Sequence, residues 1–321
     1  MLKKFTLYFI LIFLLWLLIL FIQASNPTKS TQWVFDVYNK KYNIAMSIKK
    51  PKIVVMAGSN ALFGINSKML ENKFKMPVVN YGVNAGIDLP LILYLTKRIL
   101  KPKDIVIVPL EYPLYSYNAK PLELMIDYIL SRESKLFFQL TLKEQLFIIW
   151  NISWKRVSNG YFYKGGKVIK IGQYGIHHID KYGDQTYSDI KYKTSNMKNI
   201  LNKFDKKPQT YGKDSNLNSL GIKYLKEFVL LCKNRNIKVL FVPSTLMYNK
   251  SYLKDKIESK FYNNLKNNLN QKGLLFIGNP YNYMQSKDNY FDTIYHLTTK
   301  ARDIRTKRLI KDISQYINIK I

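Results

Sequence analysis

Apolar residues along this chain fall into runs of different length, and each kind predicts a different element. Phe5–Ile22 is apolar apart from Thr6. As a helix, eighteen residues rise about 27 Å, close to the hydrocarbon thickness of a bilayer. Lys3 and Lys4 precede the run, so the positive-inside rule predicts that the rest of the chain lies outside the cytoplasm. The run is longer than the apolar part of a signal peptide, and Ala24 is a weak cleavage position, which predicts a retained anchor over 1–25.

From Pro51 onward, short β-branched runs alternate with longer amphipathic stretches, the pattern of a parallel sheet with helices on its faces. The predicted strands are Lys52–Met56, Val78–Asn80, Ile105–Pro109, Ile237–Pro243 and Leu274–Ile277. They are apolar without period-two alternation, as strands covered on both faces should be. Helices are predicted over Ser67–Phe74, Leu89–Leu100, Leu217–Asn234, Tyr252–Asn270 and Thr298–Tyr316. The stretch 26–50 reads as a tether, part polar and part helical. Between the third and fourth strands the rhythm breaks. Leu122–Tyr128 and Glu144–Trp154 read as helices, and Gly160–Tyr192 has no clear period. An insertion over about 115–213, capping the site, is the expectation. The main domain is therefore 51–321.

Charge narrows the partners. The 321 residues carry 51 Lys+Arg against 21 Asp+Glu, a net charge of +30. Such an excess suits a polyanionic surface or polymer. The abundance of Lys, Asn, Ile and Tyr is also what an AT-rich gene yields. The basic residues are scattered, with no arginine-rich arm, so nucleic acid is not expected. One cysteine, Cys232, excludes an internal disulfide and a thiolate metal cluster. His177 and His178 are adjacent and lack the i, i+4 spacing of a helical metal site. Neither a Gly-x-Gly-x-x-Gly loop nor a P-loop lysine follows a strand, so no metal and no nucleotide cofactor are expected.

Three segments can carry chemistry. The first strand ends in Ala57-Gly58-Ser59-Asn60, at the sheet edge where open α/β folds place their sites. There the backbone N–H groups beginning a helical turn can hold an oxyanion while the Ser59 hydroxyl faces a cleft; the plainer reading is a turn serine or N-cap. The second strand ends in Asn80-Tyr81-Gly82-Val83-Asn84-Ala85-Gly86, whose glycines and asparagines suit close approach of amides to a ligand, or a simple turn. Near the C-terminus comes Asp292-Thr293-Ile294-Tyr295-His296. His296 precedes a helix predicted to start at Thr298. It suits a general base, with Asp292 holding its tautomer; a packing or capping histidine is the alternative.

Serine after strand one, a Gly/Asn loop after strand two, and Asp then His before the last helix resemble the SGNH/GDSL hydrolase superfamily. Among its members, the chain is most similar to membrane-anchored envelope proteins of the alginate-acetylation and teichoic-acid D-alanylation kind. The resemblance covers about 52–112 and 237–316 and leaves out the insertion. It implies a flavodoxin-like, three-layer fold with Ser59 as nucleophile, His296 as base and Asp292 as its orienter. Gly82, Asn84 and Gly86 would contribute to the oxyanion and substrate site. It further implies an esterase or O-acyltransferase acting on acyl, chiefly acetyl, groups of an envelope polysaccharide or other anionic glycopolymer. The setting would be a bacterial cell membrane crossed once, with the domain extracytoplasmic, either periplasmic or on the outer face, and with acyl groups supplied by a multi-pass membrane partner. A non-catalytic scaffold or polysaccharide-binding subunit is the competing expectation. Three details depart from the family. Asp292 and His296 are four apart where D-x-x-H is usual, leaving Asp288 as a second candidate orienter. After the third strand, where the family's third block supplies an asparagine, the chain reads Pro109-Leu110-Glu111-Tyr112-Pro113 with no asparagine until Asn118, so either Asn84 substitutes or the oxyanion is held less well. The first block reads Gly-Ser-Asn, a Gly-Ser form found in the anchored relatives.

Overall fold

The computed structural model describes residues 2–163 and 174–317. The segment 164–173, inside the stretch with no clear period, lies outside the described residues. Helix α1 (Leu2–Ser25) leads into α2 (Lys29–Ser47), followed by β1 (Ile53–Val55), α3 (Ser59–Gly64), α4 (Ser67–Phe74), β2 (Val78–Asn80), α5 (Asp88–Lys97) and β3 (Ile105–Val108). The insertion contributes α6 (Tyr112–Tyr115), α7 (Glu123–Arg132), α8 (Ser134–Phe137), α9 (Leu142–Trp150), α10 (Trp154–Phe162) and α11 (Ser195–Lys206). The chain returns through α12 (Leu220–Asn234), β4 (Lys238–Phe241), β5 (Leu246–Met247), α13 (Ser251–Lys254), α14 (Lys256–Gln271), β6 (Met284–Gln285) and α15 (Thr299–Ile313).

The protein is mixed α/β, built on a small parallel sheet in the order β2-β1-β3-β4. Val54 is in register with Val79 on one side and Val106 on the other, and Val106 with Val239. Successive residues point to opposite faces, so the strands feed two cores. Val54, Val79, Val106 and Phe241 join α2, α5 and α12 on one face. Ile53, Val55, Ile107 and Leu240 meet α4 and α15 on the other. Burial on both faces explains why the strands read as continuous apolar runs. The expected fifth strand, Leu274–Ile277, makes only one bridge, Phe241 to Phe276. Gly273 and Gly278 bracket it at φ +80° and +92°, and these left-handed corners cut the ladder short.

Two further differences from the sequence reading bear on function. The stretch 26–50 does not hang free: α2 buries Val34, Val37, Tyr38 and Ala45 in the main core. Its inward stripe also carries Lys41, a cation at an apolar position, which hides the helical period. The helix expected over Glu144–Trp154 is two helices. Asn151–Ser153 separate them, and the Ser153 hydroxyl caps α10 by accepting from Arg156 N at 3.1 Å. Helix α1 is long and apolar enough to cross a membrane over Lys3–Ser25, with mean hydropathy 2.9; its apolar run is exposed, and Ala24 near its end is buried.

Candidate active site

Three loops meet at the C-terminal end of β1. Gly58 has no side chain because none fits: a Cβ there would lie 2.5 Å from Ala85 N and 2.6 Å from a Glu111 carboxylate oxygen. A Cβ on Gly82 would likewise come within 2.6 Å of Gly58 O. Backbone therefore packs on backbone, and the loop after β2 is pressed against the turn carrying Ser59. Ser59 opens α3 and is half-buried, whereas Asn60 behind it is fully buried. Among the described residues the Ser59 hydroxyl has no hydrogen-bond partner.

Glu111, just past β3, clasps this turn. Its two carboxylate oxygens accept from Gly58 N and Asn60 N, each at 3.0 Å, the peptide amides on either side of Ser59. Asn60 Nδ2 donates to Pro109 O at 2.7 Å. Arg305 of α15 donates to Asn60 O at 2.9 Å and Asn60 Oδ1 at 2.8 Å, through the gap left by Gly64. Burial pushes the Arg305 guanidinium down to about 10, and the Glu111 charge is among those opposing the shift. A buried network of this kind is stable only when its members are satisfied.

In the second loop, the Asn84 side-chain oxygen accepts from Gly86 N at 2.6 Å, which leaves Asn84 Nδ2 as the open donor among the described residues. Gly82 is buried; its N–H donates to Asn80 Oδ1 at 3.2 Å and its carbonyl accepts from Lys41 Nζ. Gly82 thus shapes the loop rather than facing a ligand.

The third loop closes on itself. Phe291 N donates to His296 O at 2.7 Å, and Tyr290 bridges Leu297. That closure absorbs the extra residue between the two polar side chains. His296 Nδ1 and Asp292 Oδ1 are 2.8 Å apart. Asp288 sits outside the pair, exposed on a short turn. With Nδ1 tied to the carboxylate, Nε2 is the basic nitrogen. Asp292 Oδ2 accepts from Tyr174 OH at 2.5 Å, so the carboxylate beside His296 is itself held in place. The imidazole stacks on Phe63, with centroids 4.1 Å apart and planes 8° apart. Phe63 lies one helical turn after Ser59, on the same face of α3. Ser59 and His296 thus share one surface of α3, with no hydrogen bond between them.

Residues 174–189 form a strap around this surface. Gln185 N donates to Leu62 O at 3.1 Å, Asn80 N to Tyr182 O at 2.8 Å, and Arg302 Nη1 to Gln185 O at 2.8 Å. Asp184 accepts from Ser67 N, Ser67 Oγ and Asn80 Nδ2 at 2.7–2.8 Å. Burial pushes the Asp184 carboxyl up to about 6. Lys41 lies nearby, and burial pushes its ammonium down to about 7 against the pull of Asp184 and Asp180.

Lys41 therefore ties stability to pH. Its native pKa, about 7, lies below the ordinary 10.5. Between those values the unfolded chain binds the extra proton, so raising the pH favours the folded state. The unfolding free energy of wild type minus that of Lys41→Met should be flat below pH 7 and climb by a few kcal/mol at most toward pH 10.5, at about 1.4 kcal/mol per pKa unit. Urea titrations across that range measure it, and parallel curves would remove the assignment. Asp184 works in the opposite sense at lower pH, its contribution fading as pH rises from 3.8 toward 6.

A cleft of about 830 Å³ opens beside Tyr112, Tyr115, Tyr211, Asn216 and Phe261. Ser59, Asp292 and His296 do not line it. Among the described residues, no three His, Cys, Asp or Glu side chains converge as metal ligands. The sequence reading missed Glu111, Phe63, Tyr174, Lys41 and Arg305. A carboxylate straight after a parallel strand was a usable signal for Glu111; the others carry none. No protein-family model and no curated protein matches this chain.

Proposed function

We propose that this protein is a membrane-anchored serine esterase or O-acyltransferase of the SGNH/GDSL kind, acting on acetyl or related acyl groups of a cell-envelope polysaccharide. The reading rests chiefly on the Asp292–His296 pair, held by Phe63 one helical turn from Ser59 at the end of a parallel strand. Further support comes from the sheet order β2-β1-β3-β4 with residue 276 beside β4, the sequence a flavodoxin-like sheet would have. Lys3 and Lys4 before α1 favour an extracytoplasmic domain.

In this mechanism Ser59 Oγ attacks the acyl carbonyl as its proton passes to His296 Nε2. The negative carbonyl oxygen is met by the Ser59 N–H and Asn84 Nδ2. The glycan or donor oxygen departs with the proton from His296, leaving an acyl-serine. Water, or a second glycan hydroxyl, then attacks the acyl carbon, gives its proton to His296 and frees Ser59. Donor groups for transfer would come from a multi-pass membrane partner. The open geometry between Ser59 and His296 favours a second reading, a polysaccharide-binding subunit whose +30 charge holds an anionic polymer. Catalytic hydrogen bonds often tighten only with substrate, so substrate decides between them. Full-length chain in detergent should release acetate from small acetyl esters and form a phosphonate adduct on Ser59. A folded chain that does neither, yet binds anionic polysaccharide in a salt-sensitive way, belongs to the second reading.

A further inference from the structure

Helix α9 is apolar on its outer face as well as its inner one, where Ile148 is fully buried in the core. Its inner face holds Glu144, fully buried, accepting from Tyr117 OH and Tyr224 OH at 2.7 and 2.5 Å. Its outer face is Leu142, Leu146, Ile149 and Trp150, spaced as one helical stripe and open to solvent, Trp150 by 89%. Four residues later α10 starts with Trp154, 69% exposed. The two helices meet at a corner whose tip, 150–154, carries two exposed indoles. Isolated exposed apolar residues are ordinary, but a contiguous patch of this kind marks a binding surface.

What covers it follows from where the corner sits. Helix α10 is locked to α1. Gly160 lies so close to Gln23 that a Cβ would fall 2.0 Å from its carbonyl oxygen. Arg156 Nη2 donates to Ala24 O and Asn26 O, both at 2.6 Å, while Arg156 Nε pairs with Asp127 at 2.7 Å. Further along, Trp154 meets Trp16 with ring centroids 6.2 Å apart. Helix α10 therefore runs beside the second half of α1, and the tip reaches the level of Trp16. Trp16 precedes Ile22, the end of the apolar run, by six residues, a rise of about 9 Å. Interfacial helices bury their apolar faces about 5–10 Å into the headgroup and acyl boundary. Lys143 and Lys155 flank the tip, exposed, where their ammonium groups can reach lipid phosphates.

We propose that the corner between α9 and α10 is a second membrane element, a wedge inserted into the leaflet from which the C-terminal end of α1 emerges. The inference rests on reading α1 as membrane-spanning. The wedge and the anchor together hold the domain at a fixed height and tilt above the lipid, which a single helix with a free tether would not.

Tryptophan quenching in bilayers tests it on the full chain. One variant, Trp33→Phe/Trp150→Phe/Trp154→Phe, keeps only Trp16. The other, Trp16→Phe/Trp33→Phe, keeps the two indoles of the tip. Both are placed in phosphatidylcholine–phosphatidylglycerol vesicles with and without acyl chains brominated near the glycerol end. Both should lose emission in the brominated lipid, and adding Ile149→Asp to the tip variant should restore part of it. Quenching of Trp16 without quenching of the tip overturns the wedge and leaves the anchor standing. Quenching of neither overturns both. Tip emission that changes with protein concentration and not with bromine assigns the patch to a second copy and overturns the wedge.

Discussion

Ser59→Ala should lower acyl-ester turnover at least about 10³-fold and abolish phosphonate labelling, with the fold unchanged. The substitution removes an oxygen that is half-exposed and bonded to nothing among the described residues, so its stability effect should stay within about 0.5 kcal/mol. Whatever activity is lost then belongs to chemistry and not to structure. His296→Ala should match that loss, and the double variant should be no worse than either single one, because nucleophile and base act as a unit. Asp292→Asn should cost about 10²–10⁴-fold by disturbing the tautomer at His296. Steady-state hydrolysis of a small acetyl ester by folded full-length protein measures all four variants. Activity surviving in Ser59→Ala would remove Ser59 from the mechanism.

Glu111→Ala should be the most damaging single change to stability near the site, at about 3–5 kcal/mol. It strips acceptors from two buried N–H groups, Gly58 and Asn60. It also removes an anion that offsets buried Arg305. Glu111→Gln keeps the shape but offers one carbonyl oxygen where two acceptors are needed, so about 1–2 kcal/mol is expected. Urea midpoints at unchanged slope report both values. A Glu111→Ala protein within 1 kcal/mol of wild type would mean that the clasp does not hold the turn.

The parallel sheet was legible because strands buried on both faces advertise themselves as apolar runs. Val78–Asn80 and Ser67–Phe74 were read at the bounds they adopt. Elements failed to show where one residue broke the pattern or the environment inverted it. Lys41 interrupts the inward stripe of α2, and the outward apolar stripe of α9 mimics a core face. At the site, the order Ser, Asp, His sits on the chain in plain view. What joins those residues does not: the stacking of Phe63 on His296, the Tyr174 hydroxyl on Asp292 and the Glu111 clasp are contacts between segments distant in sequence, which no local spacing encodes.

The strap over β2 bears on solubility. β2 is an edge strand of the sheet, and an open edge is a template for pairing with another chain. Asn80 spends its N–H on Tyr182 O, and its side chain binds Ala61 O and Asp184, so the edge is occupied by the protein's own backbone. Loss of Asp184 would release that cover. The expected damage is therefore not only looser packing beside Ser59 but a route to chain-to-chain sheet growth, most acute at high protein concentration.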